Sequence, residues 1–230
     1  MSLFDATGNY HEGHEQRRRH AGNRAAPGSV GPMIIVTAAL KGGVGKTTTS
    51  VYLAALASSN RRTATLVDAD PQGSAADWIA DSDDDHLSRI EIAEAPTERL
   101  LTKALDKVPP EGIGVVDMPP SHERLLNKAL ERARIVIIPT RVGGVETPRV
   151  KAVLELVPKH VPVGLVICSA RTYTRSYQEA MKQYADENIP VWGTIPERVS
   201  ITAGPTGPLA EDGLESYRKV WRKILAAARS

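Results

Sequence analysis

From Pro32 onward, short continuous apolar runs rich in β-branched residues alternate with longer stretches whose apolar residues recur at helical spacing. The short runs at Met33–Ala38, Thr63–Asp68, Arg89–Ala93, Ile113–Asp117, Arg134–Pro139, Pro162–Cys168 and Val191–Thr194 read as strands separated by crossover helices. Most of them are apolar throughout rather than alternating, so both faces of the sheet must be covered. The pattern therefore predicts an α/β fold: a doubly wound, mainly parallel sheet with helices on both faces. In such a sheet a ligand belongs beyond the carboxyl ends of the strands.

Residues 1–31 break the pattern and collect Gly, Asn, His and Arg, including Arg17, Arg18, Arg19 and His20, before Pro27 and Gly28. They read as a flexible tail ahead of one domain over residues 32–230. Asp5, Glu12 and Glu15 offset the basic triplet, and the segment is too short and too polar for a helix-turn-helix. His11 and His14 have no cysteine or rigid frame beside them, so no metal site is expected there. Twenty-nine basic against 27 acidic residues leave a net charge of only +2, so any nucleic-acid surface must be local. The single cysteine, Cys168, excludes an internal disulfide framework and fits a reducing cytoplasm. No apolar run approaches the roughly 18 residues that span a bilayer. The acidic run Asp81, Asp83, Asp84 and Asp85 reads as a solvated loop.

Chemistry concentrates where the first strand ends. Met33–Ala38 leads into Lys41-Gly42-Gly43-Val44-Gly45-Lys46-Thr47-Thr48, and a helical pattern through Val51, Leu53, Ala54, Leu56 and Ala57 follows. Strand, glycine loop and helix start together form an anion cradle: glycines turn the backbone tightly, successive N–H groups point inward, and the new helix offers its positive end. In that setting Lys46 would reach the β- and γ-phosphates of a nucleotide and the Thr47 hydroxyl would ligate Mg²⁺. The strict pattern wants glycine five residues before Gly45, where Leu40 stands, and a second lysine, Lys41, opens the loop instead.

That variant resembles the signature of the ParA family of partition ATPases, P-loop proteins related to MinD and to the nitrogenase iron protein. Two further segments carry the resemblance: Leu66-Val67-Asp68-Ala69-Asp70-Pro71-Gln72-Gly73-Ser74 at the second strand's end, and Val115-Val116-Asp117-Met118-Pro119-Pro120 at the fourth's. The resemblance implies ATP and Mg²⁺ as cofactors, bound by Lys41 to Thr48, with Asp117 holding the metal through its water shell and Asp70 orienting the attacking water. Asp68 is then structural. Lys41 is implied to cross to the nucleotide of a second copy in an ATP-bound homodimer, so Lys41, Lys46 and Asp70 form the expected catalytic set. An asparagine that many members place after the sixth strand to contact adenine is replaced here by Cys168-Ser169-Ala170-Arg171. The segment Ile195 to Val199 resembles the other adenine-side loop, which nominates Pro196. GTP is not expected, because Asn127-Lys128-Ala129-Leu130 lacks the final acid of a guanine reader. One cysteine per chain also excludes an iron–sulfur cluster of the nitrogenase kind.

The C-terminal stretch sets Leu214, Tyr217, Trp221, Ile224, Leu225 and Ala228 at helical spacing, with Arg218, Lys219, Arg222, Lys223 and Arg229 among them. A basic amphipathic helix of this kind can pack on the sheet, bind DNA phosphates or lie on a membrane. Packing is expected, with the basic side left for nonspecific duplex DNA; a membrane is not favoured. Arg171 and Arg175, flanking Tyr173, form a second basic candidate. The family resemblance then implies DNA segregation on the nucleoid, with hydrolysis stimulated by a ParB-like centromere-binding protein. A MinD-like positioning ATPase on a membrane or protein surface is the alternative.

Overall fold

A computed structural model describes residues 31–58, 63–143, 146–202 and 207–229. The tail expected over residues 1–31 lies outside the described residues, Gly31 excepted. In chain order the elements are β1 (Met33–Thr37), α1 (Lys46–Ala57), β2 (Ala64–Asp68), α2 (Ser74–Ala80), β3 (Ile90–Glu94), α3 (Glu98–Lys107), β4 (Ile113–Asp117) and α4 (Glu123–Leu130). The second half continues with β5 (Ile135–Thr140), α5 (Glu146–Leu156), β6 (Val163–Ala170), α6 (Arg175–Asp186), β7 (Val191–Pro196), α7 (Val199–Thr202) and α8 (Glu211–Ala227).

The strands form one 7-stranded sheet in the order β3-β2-β4-β1-β5-β6-β7. All neighbours run parallel. The chain winds from β1 toward β3 and then, from β5, toward β7. The carboxyl end of β1 therefore sits where the winding direction changes, the place where a crevice opens in sheets of this type.

Side chains alternate across the strands and so feed two cores. Ile35, Leu66, Val115, Ile137 and Val166 face one way, under Val51, Leu53 and Ala54 of α1, Trp78 and Ile79 of α2, and Leu214, Tyr217, Val220 and Ile224 of α8. Ile34, Val36, Val67, Val116, Val136 and Ile138 face the other way, under α3, α4, α5 and α6 through Leu101, Leu105, Leu125, Leu126, Val150, Val153 and Tyr184. This is the doubly wound α/β sheet that the apolar runs predicted. The strand limits differ from expectation mainly at β6 and β7, which run on to Ala170 and Pro196. These two residues pair again beyond an irregularity in the β6–β7 ladder, a long-range contact that local hydrophobicity does not signal.

The C-terminal helix packs through its apolar side. Leu214, Tyr217, Val220 and Ile224 are buried, whereas Arg218, Lys219, Arg222 and Lys223 are exposed. Tyr217 stacks on Tyr52 of α1, with centroids 4.8 Å apart and planes at 18°. Tyr52 in turn meets Trp78 of α2 edge-on, at 6.4 Å and 84°. Gly213 lets α8 approach this closely, since a Cβ there would lie 2.5 Å from the Tyr52 hydroxyl oxygen. The acidic loop is not merely solvated: Asp84 accepts the Leu209 N–H at 2.7 Å and so anchors the approach to α8.

Candidate functional site

The loop between β1 and α1 turns through left-handed backbone at Gly43 (φ 72°) and Gly45 (φ 98°), where side chains are strained. Gly45 also faces Cys168 of β6, whose Sγ would stand 3.0 Å from a Cβ at that position. Gly45 caps α1 without any side-chain hydrogen bond, and the first turn carries no acidic residue. The opening N–H groups of α1, which by helix geometry lack intrahelical acceptors, are thus available to an anion.

Lys46 is buried, and its ammonium donates to the Lys41 carbonyl at 3.3 Å. Burial lowers its pKa, an effect opposed by the carboxylates of Asp117 and Asp70. Asp117, at the carboxyl end of β4, is 1% exposed and accepts two hydroxyls at 2.8 Å, Thr47 Oγ1 on Oδ2 and Ser50 Oγ on Oδ1. Burial pushes its carboxyl up to about 7, against the pull of those hydroxyls and of Lys46, with Asp68 adding repulsion. A buried carboxylate that far out of its ordinary range is a site prepared for positive charge.

Asp68 and Asp70, two residues apart, do different things. Asp68 Oδ2 accepts the N–H groups of Ala75 and Ala76, and Oδ1 that of Asp70, each at 3.0 Å, so it pins the start of α2 and the loop before it. Asp70 is only partly buried, spends Oδ1 on the Gln72 N–H at 3.0 Å, and lies close enough for its charge to act on Lys46. Ser121, left-handed at φ 55°, donates to the Leu40 carbonyl at 2.8 Å and ties the segment after β4 to the loop's entry.

These groups open on a cleft of about 240 Å³. Its lining has two parts, Gly43, Gly45, Lys46, Thr47 and Thr48 of the loop and α1, and the mostly apolar set Cys168, Ser169, Ile195, Pro196, Ile201 and Tyr217; Arg141 lines it too. The two parts suit the phosphate and base ends of one nucleotide. Cys168 is an inert wall, its thiol held up at about 11 by burial. Tyr217 shares a hydroxyl contact of 3.0 Å with Thr49 of α1, and burial raises its phenol well above the ordinary range.

Of the residues nominated from sequence, the structure gathers Gly43, Gly45, Lys46, Thr47, Thr48 and Pro196 in the cleft lining, with Asp117 hydrogen-bonded to Thr47 beneath it. Val44 is buried behind the loop, while Lys41 and Gly42 are exposed at its start. Arg218, Lys219, Arg222 and Lys223 share α8, where Arg218 pairs with Glu211 at 2.8 Å. Arg175 does not join them: it heads α6 in the other helical layer, with its guanidinium Nε 2.7 Å from Glu179. Sequence reasoning passed over Ser50, Arg141 and Tyr217 as site residues. Ser50 follows Thr47 by three positions, hence on the same helical face, and that signal was readable. The other two belong to no motif and reach the cleft only through folding.

A parallel sheet whose first strand feeds a glycine loop and a helix start, with a buried carboxylate on the neighbouring strand, defines a P-loop nucleotide-binding domain. Residues 35–207 match the CobQ/CobB/MinD/ParA nucleotide binding domain, and the chain belongs to that family. Over 115 residues it is 39% identical to the maintenance of carboxysome distribution protein A of Gloeobacter kilaueensis, a match spanning 50% of this chain and only 51% of that relative. It is 26% identical to the chromosome-partitioning ATPase Soj of Thermus thermophilus, across 84% of this chain and 95% of Soj. Among solved structures, a Borrelia burgdorferi plasmid partition protein bound to AMPPNP superposes with a TM-score of 0.71 at 21% identity, covering 85% of this chain and 99% of that one.

The residues present fit a magnesium–nucleoside triphosphate. Mg²⁺ prefers hard oxygen donors, which the Thr47 hydroxyl and the Asp117 carboxylate supply side by side. Lys46 and the α1 N–H groups would hold the phosphates. No group of three or more His, Cys, Asp or Glu that could hold a metal ion occurs among the described residues.

Proposed function

We propose that this chain is a ParA-like ATPase that segregates DNA, plasmid or chromosome, by cycling between an ATP-bound homodimer on nonspecific duplex DNA and a released state. The observation that carries the reading is the double role of α8. Its Tyr217 lines the nucleotide cleft while Arg218, Lys219, Arg222 and Lys223 of the same helix face outward. Nucleotide occupancy and the basic face are thus one helix apart, which suits a DNA contact gated by ATP.

In this reading Lys46 and the loop N–H groups bind the β- and γ-phosphates, and the bound Mg²⁺ supplies charge neutralisation at the transferring phosphoryl group. Thr47 and Asp117 hold the ion. Asp70, beside Lys46 on a loop pinned by Asp68, orients the water that attacks the γ-phosphate. Lys41, exposed at the loop's mouth, reaches across to a second copy's nucleotide, so hydrolysis and dimerisation depend on each other. A ParB-like partner accelerates the slow turnover, and the ATP-bound form associates with the nucleoid.

The test is duplex DNA binding by the full chain with ATP, ADP and no nucleotide, at low and high salt. Binding that needs ATP and collapses with salt supports the reading, because phosphate contacts release counterions. Absence of binding in every state removes the DNA role and leaves a positioning ATPase of the MinD kind, on a membrane or a protein surface. Flotation with liposomes at high salt would then identify it. No described helix is long and apolar enough to cross a membrane.

A further inference from the structure

One cation of the cleft lies outside the phosphate loop. Arg141 is the first residue after β5, the strand between β1, which feeds the loop, and β6, which brings Cys168. The parallel register sets Thr140 beside Ile167, so Arg141 leaves the sheet level with Cys168. Cys168 packs against Gly45 at the base of the loop. Arg141 therefore stands where the phosphate half of the cleft meets its apolar half, and it lines both with Gly45, Thr48, Cys168 and Ser169.

Its guanidinium closes no hydrogen bond or ion pair among the described residues. Its charge acts on the Cys168 thiol and on Glu197, but Glu197 is already hydrogen-bonded by Arg171 Nε. Among the described residues lining the cleft, Lys46 and Arg141 are the only cations. The Lys46 ammonium donates to the Lys41 carbonyl and lies within reach of the charges of Asp117 and Asp70, the end where the metal and terminal phosphates belong. A nucleotide with its base in the apolar part and its terminal phosphates at Lys46 must pass its α-phosphate between the two, on the Cys168 side. A guanidinium matches phosphate in fork geometry and stays charged at any working pH.

We propose that Arg141 binds the α-phosphate and is a second phosphate-recognition residue, separate from the glycine loop. The proposal rests on the cleft holding ATP in the orientation just given. Its test compares Arg141→Ala and Arg141→Lys with the wild-type chain in equilibrium competition by ATP, ADP, AMP and adenosine. Arg141 is exposed, so thermal melts should show both variants folded like the wild type.

Arg141→Ala should weaken ATP, ADP and AMP alike, each by about five- to tenfold, with adenosine unchanged; Arg141→Lys, which keeps the charge but not the fork, should restore only part of the loss. Arg141→Ala should also lower the salt dependence of AMP binding. Unchanged AMP affinity in Arg141→Ala overturns the α-phosphate assignment. A parallel loss for adenosine overturns it too, by moving the contact to sugar or base. Wild-type protein that binds no ATP would undo the cleft assignment itself, a result distinct from either.

Discussion

Thr47 Oγ1 donates to Asp117 Oδ2 at 2.8 Å, joining the second residue of α1 to the last residue of β4 across 70 positions of sequence. The contact sets side by side the hydroxyl that would ligate Mg²⁺ and the carboxylate that would hold it through its water shell, and it rests on a cost. Asp117 is desolvated, and with its carboxyl raised to about 7 the native state binds a proton more tightly than the unfolded chain does.

The sign of that shift makes a prediction for the metal-free, nucleotide-free protein. The stabilising contribution of the Asp117 proton is fully present below the ordinary pKa of 3.8 and is lost as pH rises through about 7. At ~1.4 kcal/mol per tenfold in proton affinity, the charged form costs folding on the order of 4 kcal/mol at pH 8. Asp117→Asn should therefore raise Tm in EDTA at pH 8 by several degrees, and by less at pH 5. It should also lose the further stabilisation that Mg²⁺–ATP gives the wild type. Melting curves at the two pH values check this, and equal effects at both would contradict it.

Lys46→Ala and Asp70→Ala should separate binding from turnover. Lys46 is the buried cation of the phosphate end, so its loss should weaken ATP by about a hundredfold, roughly 3 kcal/mol. Asp70 lies on a loop held by Asp68 rather than by its own side chain. Its alanine variant should bind ATP near normally and hydrolyse it at least tenfold more slowly. Calorimetry and a phosphate-release assay on the same preparations decide the matter; normal turnover in Asp70→Ala would remove its water-orienting role.

Gly213→Ala should destabilise, against the ordinary rule for helices. Alanine gains about 1 kcal/mol over glycine in a helix interior. Here its Cβ would meet the Tyr52 hydroxyl oxygen at 2.5 Å, and overpacking of that kind costs typically 1–3 kcal/mol. We expect a net Tm decrease of a few degrees, larger for Gly213→Val. A raised Tm for the alanine variant would mean that α8 does not press on Tyr52 as described.

Lys219 and Arg222 are exposed on α8, so Lys219→Glu with Arg222→Glu should leave thermal stability within about 1 kcal/mol. If the basic face binds DNA, the double variant should lose at least tenfold in affinity for duplex of any sequence, and its log-affinity should fall less steeply with log salt. Gel shifts across a salt series measure both. Arg175→Ala, in the opposite helical layer, should have less effect.

What the sequence determined by itself lies where physics is local. Continuous β-branched runs need cover on both faces, so β1 to β7 and the parallel doubly wound class were legible in the hydrophobic pattern. Gly43, Gly45, Lys46 and Thr47 were legible too, because a phosphate cradle needs its glycines, cation and hydroxyl within one turn of chain. Tertiary structure alone decided the rest. Asp117 owes its two hydroxyl partners, and its raised carboxyl, to β4 lying beside β1. The family resemblance set Asp68 and Asp70 apart, but only the fold shows how: the first N–H groups of α2 bind Asp68, while Asp70 stays partly exposed with its charge acting on Lys46. Arg141 and Tyr217 lie about 100 and 170 positions from the loop, and no local pattern marks them. They reach the cleft because β5 is neighbour to both β1 and β6, and because Gly213 lets α8 settle onto Tyr52. Contacts of that span depend on strand order and close packing, which a period of two or of 3.6 residues does not encode.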